Sequence, residues 1–447
     1  MANSYLNKTA SNGERKKCTF SAWVKKGLSG SDYPRIFSSY IGASDYLRFN
    51  FNRTTDGEQL QLYIETSGAA PTLLTNRLFR DPSAWYHLVF AIDTTLATAD
   101  DRMKLYVNGV QETSFATRTN PSQNQDFPVN SSSATMYIGR QASSSAAFFN
   151  GYMSHVSFVD GQALAPTVFG STDSTSGIWK FKAPSGVTWG TNGFHLKFEN
   201  SGAMGTDSSG NTNTFTVNGN LKQALDTPSN VYTTMNPLVN VPTGTYSNGN
   251  TQFNAGAEHR TGYGTLAFST GKYYWEAKAT GGSKYTIGLS DAENQSAYQQ
   301  VSGANLIVGN SANSYLKGDA IGWYYTTLYK NGSTVASSIH QIVTNDIMMI
   351  ACDADSGKIY YGVNGTWRVA NSTTFNASSN DTTFTTGRFY VPACSNENCG
   401  WQFNFGNGYF GTTAISSAGS NGNGSLFEYD VPSGYYALNT KNINTYG

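Results

Sequence analysis

Three short stretches share one ending. "KLYVNGV" occupies residues 104–110, "LYKNGST" 328–334 and "YYGVNGTW" 360–367. Each runs a tyrosine-bearing segment into Asn-Gly. A type I′ turn needs positive φ at both central residues, and Asn and Gly reach that region at least cost. Before the first turn, Leu105 and Val107 fall on one side and Lys104 and Tyr106 on the other. That period of two marks a strand. Tight hairpins are therefore expected at Asn108-Gly109, Asn331-Gly332 and Asn364-Gly365.

Composition extends this local reading to the whole chain. Of 447 residues, 13% are charged and 14% aromatic, with 46 glycines and 28 tyrosines. Ser, Thr, Asn, Gly and Tyr abound and helix-favouring Glu and Lys are sparse, which predicts an all-β protein with many short turns. The formal net charge is +0, and the densest basic cluster is Arg15-Lys16-Lys17. So small a cluster argues against nucleic acid as a partner. No run is long and apolar enough to cross a membrane as a helix. The N-terminal stretch has no apolar core of the secretory kind, so synthesis in the cytoplasm without a signal peptide is expected. No heptads are visible that would build a coiled-coil stalk.

Residues 18–169 alternate strand-like runs with turn clusters, the pattern of a sandwich. In "WYHLVFAID" (85–93) both faces are apolar, so both should be covered. Trp179, Phe181, Phe194, Leu196 and Phe198 are the expected cover. The chain is therefore divided into a first sandwich at 1–169 and a connector with short strands at 170–262, partly packed on it. A second sandwich follows at 263–410, and a Gly/Ser/Asn-rich segment at 411–447. Cys18 and Cys352 sit in apolar patterns and read as small core residues. Cys394 and Cys399 flank "SNEN" and fit either a hairpin disulfide or a free pair. Without a second ligand pair their spacing is a weak zinc signal.

Catalytic patterns are sparse. His87 and His155 lie in strands, and His195, His259 and His340 carry no partner signature such as H-E-x-x-H. Asp353 and Asp355 mimic a general acid/base pair, but they stand at a hairpin turn. There is no G-x-S-x-G and no P-loop. The chain is expected to be no enzyme.

Resemblance adds to this. "FSAWVK" (20–25), "WYHLVFAID" (85–93), "KLYVNG" (104–109), "YIGR" (137–140) and "FNGYMSHVSFVDGQAL" (149–164) make residues 1–169 resemble the laminin-G-like, concanavalin A-type jelly-roll family. The family implies two curved antiparallel sheets, with glycans bound at rim loops, sometimes through calcium. No cofactor is expected. Asp93, Asp100 and Asp101 are the calcium candidates, but "DTTLATADD" reads better as a polar hairpin loop. "GKYYWEAKA" (271–279), "YTIGLSD" (285–291), "GDAIGW" (318–323) and "DADSGKIYYGVNGTW" (353–367) make residues 263–406 resemble SPRY domains. That implies a non-catalytic module whose loops grip partners.

The combination resembles structural proteins of marine tailed phages, labelled tail fibres or virion proteins. It implies two antiparallel β-sandwiches on a virion surface that recognise a host glycan or protein and contact other virion proteins. Two alternatives stand beside it: a capsid- or tail-decorating protein, and the carbohydrate-binding part of a glycan-degrading enzyme. Tyr40, Tyr46, Tyr298, Tyr315, Tyr324 and Tyr325 are the candidate ligand-binding residues. Weak single sites call for multivalency, so a homo-oligomer is expected, a trimer if a fibre. Tyr232, Tyr246, Tyr409, Phe410 and Tyr435 are its candidate contact residues, since a monomer has no evident need of them.

Overall fold

The computed structural model describes residues 4–27, 33–54, 57–66, 68–141, 146–239, 244–257, 259–295, 307–310 and 318–447. The chain forms two compact units, Met1–Gln223 and Ala224–Gly447. The segment 170–262 is thus divided between them, with 170–223 in the first unit and 224–262 in the second.

The first unit pairs an eight-stranded sheet with a six-stranded one, all contacts antiparallel. In the larger sheet the order is Phe115–Thr119, Thr72–Leu78, Gly57–Thr66, Asp45–Thr54, Arg35–Gly42, Thr135–Ile138, Tyr5–Thr9, Thr216–Asn218. In the smaller it is Phe194–Leu196, Gly151–Asp160, Lys17–Lys26, Trp85–Asp93, Met103–Val107, Val110–Gln111. Their inner faces interdigitate around phenylalanines. Phe20 stacks on Phe37 at 4.8 Å and on Phe90 at 5.4 Å, and Phe49 meets Phe90 edge-on at 5.3 Å. Such offset and edge contacts suit the ring quadrupole.

The outer face of Trp85–Asp93 is covered as its double apolarity requires. A two-stranded ribbon, Gly170–Thr172 and Trp179–Phe181, brings the Trp179 ring onto His87 at 5.9 Å. Phe194 and Leu196 act differently from the expected cover. They pair with Phe158 and Val156 as the edge strand of the smaller sheet and are fully buried in the inner core. Phe198 is half-buried.

All three Asn-Gly sites are two-residue hairpins with positive φ at both residues: 49° and 79° at Asn108-Gly109, 50° and 83° at Asn331-Gly332, 49° and 87° at Asn364-Gly365. The asparagines share a further role. Asn108 donates its backbone N–H to the His87 carbonyl and accepts the His87 N–H on Oδ1, both at 2.8 Å. Asn331 does the same to Ala320 at 3.0 and 2.8 Å, and Asn364 to Ile347 at 2.9 and 2.9 Å. Each side chain thus supplies one more ladder rung to the neighbouring strand before the chain turns.

The second unit packs a nine-stranded sheet on a six-stranded one. Trp275, Trp323 and Trp401 are fully buried between them. Trp401 Nε1 donates to the Thr286 carbonyl at 2.9 Å, and Trp323 Nε1 to that of His340 at 3.1 Å. The outer face of the larger sheet presents Tyr274, Met349, Tyr360 and Trp367, on which Phe427, Val431 and Tyr435 are buried. Glu276 is the clasp. Its Oε1 accepts the Tyr274 hydroxyl and the Tyr429 N–H, each at 2.9 Å, and its Oε2 the Glu428 N–H at 2.9 Å and Asn404 Nδ2 at 3.3 Å. The segment 411–447 is therefore part of this unit's packing. Tyr232, Tyr246, Phe410 and Tyr435, expected to serve an oligomer, are buried within the unit, and Tyr409 is half-buried. All four cysteines are buried free thiols.

Two outcomes follow from this packing. A Cβ on Gly109 would lie 2.5 Å from the Trp179 ring. Gly109→Val joins that clash to positive-φ strain and is expected to destabilise the first unit by about 2–4 kcal/mol in denaturant unfolding. Glu276→Gln turns an amide NH₂ towards donors that now meet a carboxylate. It is expected to destabilise the second unit by about 2–4 kcal/mol; an unchanged unfolding midpoint would remove the clasp role.

Candidate functional site

Alternation decides what the eight-stranded sheet shows to solvent. One row inward runs Leu6, Ile138, Phe37, Phe49, Leu62 and Leu73; the matching outer row runs Asn7, Tyr137, Ser38, Arg48, Tyr63 and Thr72. Beside it lie Thr9, Thr135, Tyr40, Tyr46 and Glu65. The small Ser38 separates two groups of aromatic rings and guanidiniums.

In the first group the Arg48 guanidinium lies over Tyr63 at 4.1 Å and 6.0 Å from the Tyr33 ring. Arg35 is 5.6 Å from Tyr33, and Tyr46 stacks on Tyr63 at 5.9 Å. In the second, Arg140 lies 4.4 Å from Tyr5 and 4.9 Å from Tyr137. Tyr137 and Arg48 sit on the two strands that flank Arg35–Gly42, so roughly 10 Å of sheet separates them. Tyr33 is 44% exposed, while the other rings are half-buried.

The guanidiniums are poorly supplied with acceptors. Arg35 donates Nη1 to the Tyr33 carbonyl at 3.1 Å and Nη2 to Gln141 Oε1 at 3.4 Å. Arg140 donates Nε to the Gln141 carbonyl at 3.0 Å. The Nε atoms of Arg35 and Arg48 are buried and meet no acceptor among the described residues. Among the described residues no carboxylate stands within ion-pair distance of Arg35, Arg48 or Arg140. Burial, with the Arg48 charge beside it, lowers Arg35 to about 10, so it stays charged at neutral pH. Glu65, opposite Tyr46 in the strand pair, is engaged by the Tyr63 hydroxyl at 2.5 Å, a bond that raises the phenol above its ordinary range.

Of the sequence candidates, Tyr40 and Tyr46 meet here as a cross-strand pair. Tyr324 and Tyr325 lie in the second unit at a hairpin turn. Tyr324 meets His259 edge-on at 5.6 Å, and Tyr325 is 43% exposed with φ of 56°. Tyr298 and Tyr315 lie outside the described residues. Sequence reasoning missed Tyr5, Tyr33, Arg35, Arg48, Tyr63, Tyr137 and Arg140. The signal was present in "YLRFNFN" and "LQLYIET", whose alternation puts Tyr46, Arg48 and Tyr63 on one side once the two strands are paired.

The polar candidates elsewhere are tied into structure. Asp93 pairs with Lys17 at 3.3 Å, Asp100 with Arg118 at 3.0 Å and Asp101 with Lys104 at 3.0 Å. Asp353 pairs with Lys272 at 3.0 Å, and Asp355 accepts the Gly271 N–H at 2.8 Å. His340 bonds Asp346 at 2.7 Å, and His259 bonds Glu397 at 3.0 Å.

On the smaller sheet of the first unit, His87 Nδ1 accepts the Trp179 indole N–H at 2.9 Å. Indole nitrogen only donates, so the His87 proton sits on Nε2 and is donated to Ser21 Oγ at 2.8 Å. His155 Nδ1 and His195 Nε2 are 3.3 Å apart, and Phe181 stacks on His155 at 3.6 Å. Burial lowers His87 to about 3 and His155 and His195 to about 4.

Residues 2–168 match the Concanavalin A-like lectin/glucanases superfamily, and the first unit carries that jelly-roll domain. No curated protein matches the chain. Among solved structures, the SPRY domain of human HERC1 is similar with 14% identity and a TM-score of 0.27, covering 38% of this chain and 96% of that one. The native heptameric SAP-like pentraxin from Limulus polyphemus has 16% identity, a TM-score of 0.29 and coverage of 42% and 82%. Full-length tailspike protein 2 from an Escherichia coli O157:H7 bacteriophage has 14% identity and a TM-score of 0.28, covering 37% of this chain and 22% of that one.

The histidines predict an acid response. Each is neutral in the fold well below its ordinary value near 6.5. Between that value and about 4 the unfolded chain holds more protons than the folded one, so stability falls as pH falls. The melting temperature of the first unit should drop steadily below pH 6.5, and His195→Gln should flatten the slope. A slope unchanged in that variant would remove His195 as a cause.

Proposed function

We propose that this chain is a non-enzymatic surface protein of a phage virion, of tail-fibre or knob type, that binds host-surface carbohydrate through the outer face of the eight-stranded sheet. The observation that carries the reading is the tyrosine–arginine face itself. Tyr5, Tyr33, Tyr46, Tyr63 and Tyr137 are gathered on one sheet surface with Arg35, Arg48 and Arg140 among them. A flat aromatic ring takes the C–H face of a sugar, and a guanidinium fork takes its oxygens. The lectin-superfamily match over residues 2–168 supports carbohydrate as the ligand. The tailed-phage resemblance of the segment order supports the virion surface as the location, with other virion proteins as partners.

Binding to a cell surface then rests on copies presented together. A site of a few rings and hydrogen bonds is weak alone, and effective concentration multiplies such sites by roughly 10²–10⁴. A homo-oligomer, a trimer in a fibre, is the assembly this reading requires. Since Tyr232, Tyr246, Phe410 and Tyr435 are buried inside their own unit, subunit contacts fall to other surfaces. No cofactor is assigned.

The test is a glycan array with the full-length chain beside Tyr63→Ala and Tyr46→Ala. Glycan retention should fall at least tenfold in Tyr63→Ala, which removes the ring that holds Tyr46 and the Arg48 guanidinium in place. A chain that binds no glycan in its native assembly but docks onto purified virion shells would replace this reading with the decoration role.

A further inference from the structure

The arginines on this face select a ligand by charge. We infer that the face takes an anionic polysaccharide, one bearing carboxylate or sulfate groups, rather than a neutral glycan. The inference rests on the carbohydrate-binding reading above. Arg48 carries it. Its Nε is buried without an acceptor, and its charge is faced by the Tyr63 and Tyr33 rings and by no carboxylate of the described chain. Arg35 repeats the feature: it is 3% exposed, and its Nε also meets no acceptor among the described residues. Arg140 adds a third charge across Ser38, held between Tyr5 and Tyr137.

The arrangement differs from that of six other cations. Lys17, Lys26, Arg77, Lys104, Arg118 and Lys180 of the same unit all face carboxylates. The formal charge of the whole chain is +0, and the three cations gathered here have no carboxylate within ion-pair distance among the described residues. Of the acids on the adjoining strand positions, Glu65 is bonded to the Tyr63 hydroxyl and the Asp45 carboxyl is raised by burial. A planar guanidinium offers paired N–H donors that match the two oxygens of a carboxylate or sulfate. Two such sites roughly 10 Å apart along the sheet suit a repeating polymer better than a single charged sugar.

The experiment measures the full-length chain against length-matched dextran, polygalacturonate and dextran sulfate. Single-stranded DNA serves as a polyanion without sugar-ring stacking of this kind. Binding to polygalacturonate, dextran sulfate or both, at least tenfold tighter than to dextran and to DNA, is expected. Which of the two binds separates carboxylate from sulfate recognition. Arg48→Gln and Arg140→Gln should each weaken that binding about tenfold or more and reduce its salt dependence. Lys182→Gln, an exposed cation of the 170–223 segment, should leave it unchanged. Arg48→Lys keeps the charge and loses the fork, and its melting temperature, with that of Arg48→Gln, shows that the fold is intact. Dextran bound as tightly as the anionic polymers, with both arginine variants unaffected, overturns the inference and leaves the carbohydrate-binding reading in place. DNA bound as tightly as the anionic polysaccharides overturns it in favour of general polyanion attraction. No polysaccharide bound overturns both readings.

Discussion

Strand register is the constraint on which the rest of this protein depends. In a sheet with one face on the core, a slip of one residue exchanges every side chain between core and solvent. Here that exchange would bring Arg48 and Tyr63 into the place of Phe49 and Leu62. At three hairpins the chain pins its register by the same means. An asparagine at positive φ completes a backbone pair with the preceding strand and uses its own side-chain oxygen as the missing acceptor. In the second unit the amide nitrogen is used as well: Asn331 Nδ2 donates to Asp319 and Asn364 Nδ2 to Asp346, each at 2.8 Å. The acid stands one residue before the strand residue that is clamped. The same solution on two separate units comes from turn chemistry that a two-residue hairpin imposes.

The tyrosines show how one residue type serves two faces. In the second unit Tyr273, Tyr285 and Tyr361 are fully buried between the sheets, and Tyr274, Tyr360 and Tyr435 bury a second layer under the segment 427–437. In the first unit Tyr46, Tyr63 and Tyr137 stand on the polar side of a sheet whose inner side is filled by Phe and Leu. A phenol tolerates either place because its body is apolar and its tip needs one partner.

Much of this was legible in the sequence, because period-two alternation and Asn-Gly turns are local signals. The hairpins, the sandwiches and the cover over Trp85–Asp93 are read from neighbours along the chain. Three things were not. Phe194 and Leu196 share the apolar pattern of Trp179 and Phe181, and nothing in that pattern tells an edge strand from a covering ribbon. The glycine-rich composition of 411–447 hid a run of buried aromatics whose anchor, Glu276, lies about 150 residues earlier. The face that unites Tyr5, Arg48 and Arg140 is assembled from five strands and two loops, and cross-strand order is a non-local property.

That face also does not follow from stability alone. A buried N–H without an acceptor costs about 1–3 kcal/mol, and Arg35 and Arg48 each carry one. Mutual repulsion adds to the cost, since the Arg48 charge lowers the pKa of Arg35. Apolar or neutral side chains at positions 35 and 48 would remove both terms, and the hydrophobic core on the other side of the sheet would be untouched. Stacking on Tyr33 and Tyr63 returns part of the loss, about 0.5–2 kcal/mol for a partly desolvated pair, but rings do not accept the in-plane N–H that Nε presents. Both Nε atoms are closed to solvent, so an incoming anionic oxygen would meet the remaining N–H groups of the half-buried Arg48 guanidinium instead. A charge held in place by its stacking partners before the ligand comes lowers the ordering cost of binding.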